Sequence, residues 1–176
     1  MELIEALHKR RSIKSYKAEP IAREVLMEIL DATRYTPSGA NRNNWRLVVT
    51  TNQETIAKLG AVQPYAKWLA SAKAAIAIAG DPAVSKYWLE DCCLVAYSIY
   101  LAALAKGVGV GWSAIYQSDN AEEDERRQNA VRELTAIPKT LKAPIVLGLG
   151  YPDGQPGPRN MITLGESVFW ERYGST

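Results

Sequence analysis

The sequence is poor in the side chains that most enzymes use for acid–base or metal chemistry. His8 is the single histidine among 176 residues, and the two cysteines, Cys92 and Cys93, are adjacent. A hydrolase with a serine or cysteine nucleophile needs a histidine with an orienting partner, and none is evident for His8. No group of His, Cys and carboxylate residues has metal-ligand spacing, so no metal site is expected. If the protein is an enzyme, a bound cofactor is expected to supply its chemistry.

Three further absences limit the location and the partners of the protein. Adjacent cysteines rarely bond to each other, which favours a reducing compartment. The N-terminus carries charge from Glu2 onward, unlike a signal peptide, and the most apolar stretch, 92–105, is shorter than the ~20 residues of a spanning helix. The net charge is only +2, which does not suggest a nucleic-acid surface. We therefore expect a cytoplasmic protein with no membrane or nucleic-acid partner.

The spacing of apolar residues predicts a single domain, 1–176, of the α+β class. Strands are predicted at four short apolar or β-branched runs: 45–51, 74–80, 108–116 and 143–151. Helices are predicted to about Arg10, over 25–33, from about 85 to 106 and over 120–134. The Pro- and Gly-rich tail, 152–176, has little core of its own and is expected to pack on something else.

Two glycine-rich stretches lack the context of a nucleotide-binding loop. GVGVG, 107–111, follows a predicted helix and leads into a strand, which is the reverse of the dinucleotide fingerprint. GLGYPDG, 148–154, follows a strand, but Pro152 and Pro156 prevent a helix from opening there. The glycines at 107–111 are better explained as a helix stop and as a place where the backbone approaches a flat ligand.

A cluster of cations surrounds a hydroxyl in the stretch HKRRSIKSYKAEP, residues 8–20. Arg10, Arg11, Ser12 and Lys14 form a compact candidate anion site, since arginine offers forked donors to phosphate, serine a hydroxyl and lysine a point charge. The alternative is a solvated helix end whose cations offset the C-terminal dipole.

A loop rich in small and amide residues, YTPSGANRNNWRLVV at 35–49, leads from the second helix into the first strand. Its backbone N–H groups and three asparagines could surround a planar heterocycle, although a plain turn is the alternative. A third stretch, GYPDGQPGPRN at 150–160, delivers Arg159 on an extended arm. Apolar residues beyond Arg159 argue that the arm docks, and a disordered tail is the alternative.

At these stretches the sequence resembles the nitroreductase family of flavin enzymes. RRSIKSY, 10–16, is close to the family's Arg-Arg-Ser-x-Arg/Lys-x-Tyr/Phe, and PSGANRNNW, 37–45, is similar to Pro-Ser-x-x-Asn-x-Gln-Pro-Trp. Residues 90–112 resemble the family's long core helix with its Gly-rich turn, and 146–159 its last core strand and phosphate-side arm. The resemblance covers most of the chain, with the motifs in the family's order.

The resemblance implies a mostly antiparallel sheet of four to five strands and an intertwined homodimer with FMN at the interface. The arm 152–176 would then dock on the partner subunit. Arg10 and Ser12 would bind the FMN phosphate with Arg11 beside them. Lys14 would face the N1–O2 edge of the flavin. The other implied contacts are Pro37, Ser38, Gly39, Asn41 and Asn43 from the partner's loop, Ser113, Ala114 and Ile115 near flavin N5, and Arg159 at the phosphate.

The sequence departs from the family pattern at three places, one of which is Asn160, near the position of a second cation in many members. Asn43 and Asn44 replace the family's Gln-Pro, which shortens one amide side chain. The chain also lacks the long insertion that covers the substrate pocket in larger members, so 63–73 is the available lid. Its aromatic residues, Tyr65 and Trp68, are candidate stacking residues of the substrate pocket, with core packing as the alternative.

The implied activity is electron transfer from NAD(P)H to a small nitroaromatic- or quinone-like acceptor. NAD(P)H would pass hydride to flavin N5 and leave before the acceptor enters, which is a ping-pong mechanism. Lys14 would stabilise the anionic reduced flavin. The alternatives are an FMN-binding or sensor protein without turnover, and another flavin reaction on the same scaffold, such as reductive dehalogenation or flavin breakdown.

Overall fold

The core of the protein is a four-stranded antiparallel sheet. The computed structural model describes residues 2–117 and 119–175. The strands follow the spatial order β1-β2-β4-β3. Their bounds are Trp45–Thr50 for β1, Ala74–Gly80 for β2, Gly109–Ala114 for β3 and Lys142–Gly150 for β4. The α+β fold and the largely antiparallel sheet predicted from the sequence are confirmed.

Helices cover both faces of this sheet, and the four predicted from the sequence are all present. Two helices were missed, the short helix at Leu164–Ser167 and a longer one at Gln53–Ala61. Asn52 caps the longer one by accepting a hydrogen bond from Thr55 N at 2.9 Å, and Ile56 and Leu59 bury its inner face. The α-helices are α1 Leu3–Lys9, α2 Arg23–Asp31, α3 Gln53–Ala61, α4 Trp88–Ala105, α5 Ala121–Thr135 and α6 Leu164–Ser167, with short 3-10 segments at Ala32–Tyr35, Gly39–Asn41 and Pro64–Ser71.

The two faces of the sheet are packed with side chains of different size. Ile76 and Ile78 of β2 point into a cluster formed with α2 and α4. The alternate residues, Ala75, Ala77 and Ala79, point into a second cluster formed with α3 and α5. Because both faces are covered, β2 is buried along its whole length, which explains its unbroken apolar sequence.

The most apolar helix, α4, is a core element of the fold. Among the described residues it is the one helix long and apolar enough to suit a membrane span, with a mean hydropathy of 1.4. It contacts all four strands, and Cys92, Val95 and Ile99 on its inner face are fully buried. Its apolar character therefore serves the packing of the sheet.

Glycines in β3 and β4 let other parts of the chain lie directly on the sheet. A Cβ atom at Gly111 would lie 2.5 Å from the Ile13 carbonyl oxygen and from the Trp68 ring, and one at Gly148 would lie 2.8 Å from that ring. Gly107, with φ of +71°, ends α4 as predicted. Ile13 of the chain itself lies against Gly109 and Gly111, with Trp68 against Gly111, and the approach of a flat ligand to 107–111 stays a prediction.

This close approach predicts that Gly111→Ala is destabilising. The new methyl group would meet backbone as well as the Trp68 ring, so the Ile13 segment must move away from β3. We expect a loss of about 1–3 kcal/mol, the usual range for overpacking, measured as a lower urea midpoint with an unchanged slope. Gly157→Ala is the control, because a Cβ there meets nothing within 4 Å among the described residues. Equal stability of the two variants would contradict the packing described here.

Candidate functional site

The predicted anion-binding stretch lies along the outer edge of β3. After α1 ends, Ser12 forms a parallel bridge with Val110, and Ile13 N donates to Val110 O at 2.9 Å. Because side chains alternate in direction along an extended segment, Ile13 points toward the sheet while Ser12 and Lys14 are exposed. The fold therefore presents one hydroxyl and one ammonium group side by side at this edge.

Tyr16 holds this stretch on the sheet. Its hydroxyl lies 2.6 Å from Ile13 O and 2.9 Å from Gly148 O, so its single hydrogen is shared between the two carbonyls. The ring is 7% exposed, and burial, followed by nearby Tyr100, raises the pKa of the phenol. Tyr16 therefore remains a neutral donor that fixes the backbone carrying Ser12 and Lys14.

The two arginines of the cluster have different surroundings. The Arg10 guanidinium lies over the Tyr100 ring, 5.5 Å from its centroid, and the Tyr100 hydroxyl lies 3.4 Å from Ser12 Oγ. Arg11 turns back to α1, where Nη1 donates to His8 O at 2.8 Å and to Arg10 O at 3.0 Å. These bonds offset the carbonyl end of the helix, the role given as the alternative for the cluster, and phosphate binding by Arg11 stays a prediction. Arg10 and Ser12 are instead supported by Tyr100.

The two aromatic residues of the expected lid also differ. Trp68 is half-buried on the glycines of the sheet, and Lys14 Nζ lies 5.8 Å from its ring centroid. Tyr65 is 82% exposed. Leu69 is fully buried and anchors the stretch, which packs against α3. Trp68 therefore packs on the sheet with part of its ring, and the roles of Trp68 and Tyr65 in a substrate pocket stay predictions.

Two cavities flank these elements. One of about 510 Å³ lies beside Arg10 and Arg11 and is closed by Tyr100 and by the turn Pro152–Pro156. A larger one, of about 820 Å³, lies between α2 and the outer edge of β1 and has no part of the cation cluster in its lining. Size alone would favour the larger cavity, which Arg23 and Lys73 also line, but Arg10 and Arg11 of the predicted cation cluster line the smaller one.

The amide-rich loop has a strained backbone. Ala40, Asn41 and Asn43 have φ values of 51°, 54° and 49°, in the left-handed region that non-glycine residues adopt at a cost of about 1 kcal/mol or more each. Within the loop, Asn43 N donates to Ser38 Oγ at 3.0 Å. Pro37, Asn41 and Asn43 are exposed, so the predicted ligand groups of this loop point outward.

A buried carboxylate on α4 anchors this loop. Its role was not predicted from the sequence. Asp91 Oδ1 accepts from Gly39 N at 2.9 Å, and Asp91 Oδ2 accepts from Asn44 Nδ2 at 2.9 Å. Asp91 and Asn44 are each 2% exposed. An acidic residue in an otherwise apolar run was the available signal, but nothing local indicated its partner.

The end of β3 presents backbone rather than side chains. Ser113 and Ile115 are buried, whereas Ala114 between them is exposed. Gln63, also missed from the sequence, donates through Nε2 to Ser113 Oγ at 3.0 Å and to Ala114 O at 3.2 Å. Of the three residues predicted here, only Ala114 offers its side chain to a ligand.

Within one chain, the cation cluster and the amide-rich loop lie far apart. Ser12 pairs with Val110 of β3. The residue pairs that continue from Val110 across β4 end at Ala74, at the start of β2. The loop enters β1 at Trp45, opposite Gly80 at the far end of β2. Four inter-strand spacings and about six residues along a strand separate the two places, which is roughly 28 Å. Arg159 is on the exposed arm beyond β4.

Comparisons with known proteins point to one family. A family model described as "Nitroreductase family" matches residues 7–63. Proteins of Methanothermobacter thermautotrophicus and Archaeoglobus fulgidus, both named "Putative NADH dehydrogenase/NAD(P)H nitroreductase", are 32% and 34% identical to this chain. These matches span 92% of this chain and 83% of the first relative, and 86% of both chains for the second. The structure of an "FMN-dependent Nitroreductase" of Clostridium difficile R20291 is similar with a TM-score of 0.87 and 26% identity, over 97% of this chain and 100% of that one.

The Tyr16 contact predicts that Tyr16→Phe loosens the edge of the site. Two buried carbonyls lose their shared donor, which costs about 1–3 kcal/mol. The Ile13 amide, which donates to Val110 O, should also exchange hydrogen faster than in the wild type, while the amides of β2 keep their wild-type rates. Urea unfolding and hydrogen exchange measure the two effects. Tyr97→Phe on the exposed side of α4 is the matched control, since Tyr97 is 42% exposed. If both variants unfold at the wild-type midpoint, Tyr16 does not hold this stretch.

Proposed function

The chain belongs to the nitroreductase family, and from this premise we propose that it is an FMN-dependent oxidoreductase. It would take electrons from NAD(P)H and pass them to a small organic acceptor of the nitroaromatic or quinone type. The observation that carries the proposal is the arrangement at the edge of β3, where Arg10 and Ser12 share Tyr100 as a support and Lys14 is exposed beside them.

The residues present fit the phosphate and the ring of FMN. A phosphate dianion requires charge-assisted donors, and Arg10 with Ser12 offers a guanidinium and a hydroxyl next to a cavity of about 510 Å³. Lys14, two residues beyond Ser12 on the same extended edge, would supply a positive charge to the ring. Ala114, four residues from Val110 along β3, lies about 14 Å further on and presents a small exposed side chain there.

The chain contributes binding and electrostatics rather than acid–base chemistry. FMN, when bound, supplies the exchange of electrons with nicotinamide and with the acceptor. Arg10 and Ser12 hold the phosphate, and Lys14 places positive charge where negative charge develops on reduction. The donor and the acceptor would use the same open face in turn, which is a ping-pong order.

A second subunit is part of the proposal because one chain leaves the site incomplete. The spacing between strands puts the loop with Ser38, Gly39 and Asn41 roughly 28 Å from Ser12 in the same chain. Two copies arranged about a two-fold axis would bring the loop of one to the cation cluster of the other. The outer face of α4, with exposed Leu94 and Tyr97, offers apolar surface for that contact.

The C-terminal arm supports the same arrangement. Asp153 N donates to Ser15 O at 3.1 Å, which ties the start of the arm to the site. Beyond Asp153, the apolar side chains of the arm are exposed. An exposed apolar surface of this kind marks a site that contacts another protein surface. The groove of about 820 Å³ beside β1 would receive the arm of the partner, and Arg159 would return to the phosphate. The exposed apolar residues of the arm include Met161, Ile162, Leu164, Val168, Trp170 and Tyr173.

The proposed function is tested on the purified protein. We expect flavin absorbance bands, release of FMN rather than FAD on denaturation, and oxidation of NADH or NADPH that accelerates when a nitroaromatic or quinone is added. FAD as the sole flavin, or no flavin binding after reconstitution, would overturn the proposal. Flavin binding without NAD(P)H oxidation would favour the sensor alternative.

The proposed division of roles predicts different defects for two cation variants. Arg10→Ala removes a charge-assisted phosphate contact of roughly 1.5–3 kcal/mol, so FMN affinity should fall at least about tenfold with the potential of the bound flavin nearly unchanged. Lys14→Ala should lower the reduction potential of the bound flavin, and it should weaken FMN binding less than Arg10→Ala does. Both quantities are measured by FMN titration and by redox titration under the same conditions.

The control for this pair is Lys17→Ala, which removes the same charge from an exposed position of the same stretch. It should change neither quantity. If Arg10→Ala and Lys14→Ala give the same pattern, or if the potential of the Lys14 variant equals that of wild type, the cluster is a uniform electrostatic patch and the assigned roles are wrong.

A further inference from the structure

The contact between Asp91 and the amide-rich loop has no role in the function proposed so far. Asp91 lies in the first turn of α4 and is 2% exposed. A buried carboxylate is costly unless hydrogen bonds compensate for its lost hydration. Each Asp91 oxygen accepts one hydrogen bond of 2.9 Å, from Gly39 N and from Asn44 Nδ2. Both donors belong to one loop, and they lie on either side of residues 40–43.

The stretch between these two anchors is the strained one. Ala40, Asn41 and Asn43 all have positive φ, and their side chains are exposed, so little packing holds them in this shape. Gly39 also lies directly on the start of α4, since a Cβ there would be 2.7 Å from Tyr87 Cδ2. Besides the two hydrogen bonds to the carboxylate, the loop is held by Arg42 Nη1, which donates to Val84 O at 2.7 Å, and by the internal bond from Asn43 N to Ser38 Oγ. The Asp91 bonds are the ones that fix both ends of the 40–43 stretch.

We propose that Asp91 is a positioning residue for the flavin site of the partner subunit. It would fix the 38–43 loop of its own chain in the conformation that contacts the partner's FMN. The inference rests on the proposed function for the identity of the ligand, and on the hydrogen bonds above for the role of the carboxylate. Asp91 does not touch the flavin in this account, because it acts through Gly39 and Asn44.

One of the two hydrogen bonds to Asp91 depends on a residue, Asn44, by which this chain differs from the motif that the loop resembles. The motif that the loop resembles has proline at this position, and proline has no side-chain donor for a carboxylate. The Asn44 amide supplies one of the two hydrogen bonds to Asp91. The strained loop is thus held at this position by the hydrogen bond between Asn44 and Asp91 rather than by the rigid ring of a proline.

Asp91→Asn tests this role because it keeps the shape and removes the charge. The new amide group would direct its own N–H bonds at one of the two donors, so at least one attachment is lost. We expect FMN affinity to fall at least tenfold, and riboflavin affinity to fall by the same factor, since the loop is proposed to face the ring and not the phosphate. Glu90→Gln makes the same charge change at the exposed neighbouring position and should bind both flavins as wild type does.

A double-mutant cycle separates positioning from a general loss of stability. Asn41→Ala should weaken FMN binding in the wild-type background and have at most a threefold effect in the Asp91→Asn background, because the loop is already displaced there. Effects of neighbours that act through one element are not additive. If the two defects simply multiply, Asp91 does not act through Asn41 and the proposal is overturned. Wild-type FMN affinity of Asp91→Asn would overturn it as well.

Hydrogen exchange of the Gly39 amide gives a readout that needs no flavin. In the wild-type protein this amide should be protected by Asp91, and in Asp91→Asn it should exchange at least ten times faster. Equal rates overturn the role of Asp91 even if FMN binds. If wild type binds no FMN but the rates differ, the proposed function fails and the loop anchor stands. Asn44→Ala serves if Asp91→Asn does not fold, with a smaller effect expected in the same direction.

Discussion

The direct contact between the 12–16 stretch and the sheet is the constraint on which the rest of the site depends. Ile13 and Tyr16 lie so close to β3 and β4 that a Cβ atom at Gly109, Gly111 or Gly150 would fall within 2.8 Å of them. The stretch can therefore run as an added edge beside β3. From that edge Ser12 and Lys14 face solvent while Tyr16 is buried. Any side chain at these glycines would lift the cations away from the strand.

Helix α4 connects this edge to the distant loop. Asp91 in its first turn holds the amide-rich loop, and Tyr100 supports Arg10 and Ser12. The two residues are nine positions apart, which is about 14 Å along an α-helix. One rigid, buried helix thus sets the positions of two groups of ligands that would serve different flavins of a dimer. This arrangement explains why polar groups interrupt its apolar sequence.

The features that the sequence predicted well are those encoded by local pattern. The strand at Ala74–Gly80 was predicted with its observed bounds, because a short apolar run with glycine at its end has few alternatives. The stretch 53–61 was missed as a helix although Asn52 caps it, since its apolar spacing is short. Asp91 and Gln63 could not be predicted, because their partners lie about 50 positions away in the sequence and only the fold brings them together.

The residues proposed from family resemblance form two groups that one chain keeps apart. Arg10, Ser12 and Lys14 lie at the β3 edge, and Ser38 to Asn43 lie before β1. Local sequence patterns identified both groups, but they could not show the distance between them. The apolar side chains of the arm are exposed in the single chain, and its docking on the partner subunit, expected from the sequence, stays a prediction.

The central claim is that each flavin is held by the cation cluster of one subunit and the loop of the other. A mixed dimer of an Arg10→Ala chain and an Asn41→Ala chain, purified through two different tags, tests it directly by FMN titration. Shared sites place both defects in one site and leave the other intact, so the account predicts one site of wild-type affinity per mixed dimer. If Arg10 and Asn41 of the same chain served the same flavin, every site would carry one defect. The absence of any wild-type site in the mixed dimer would therefore contradict the account.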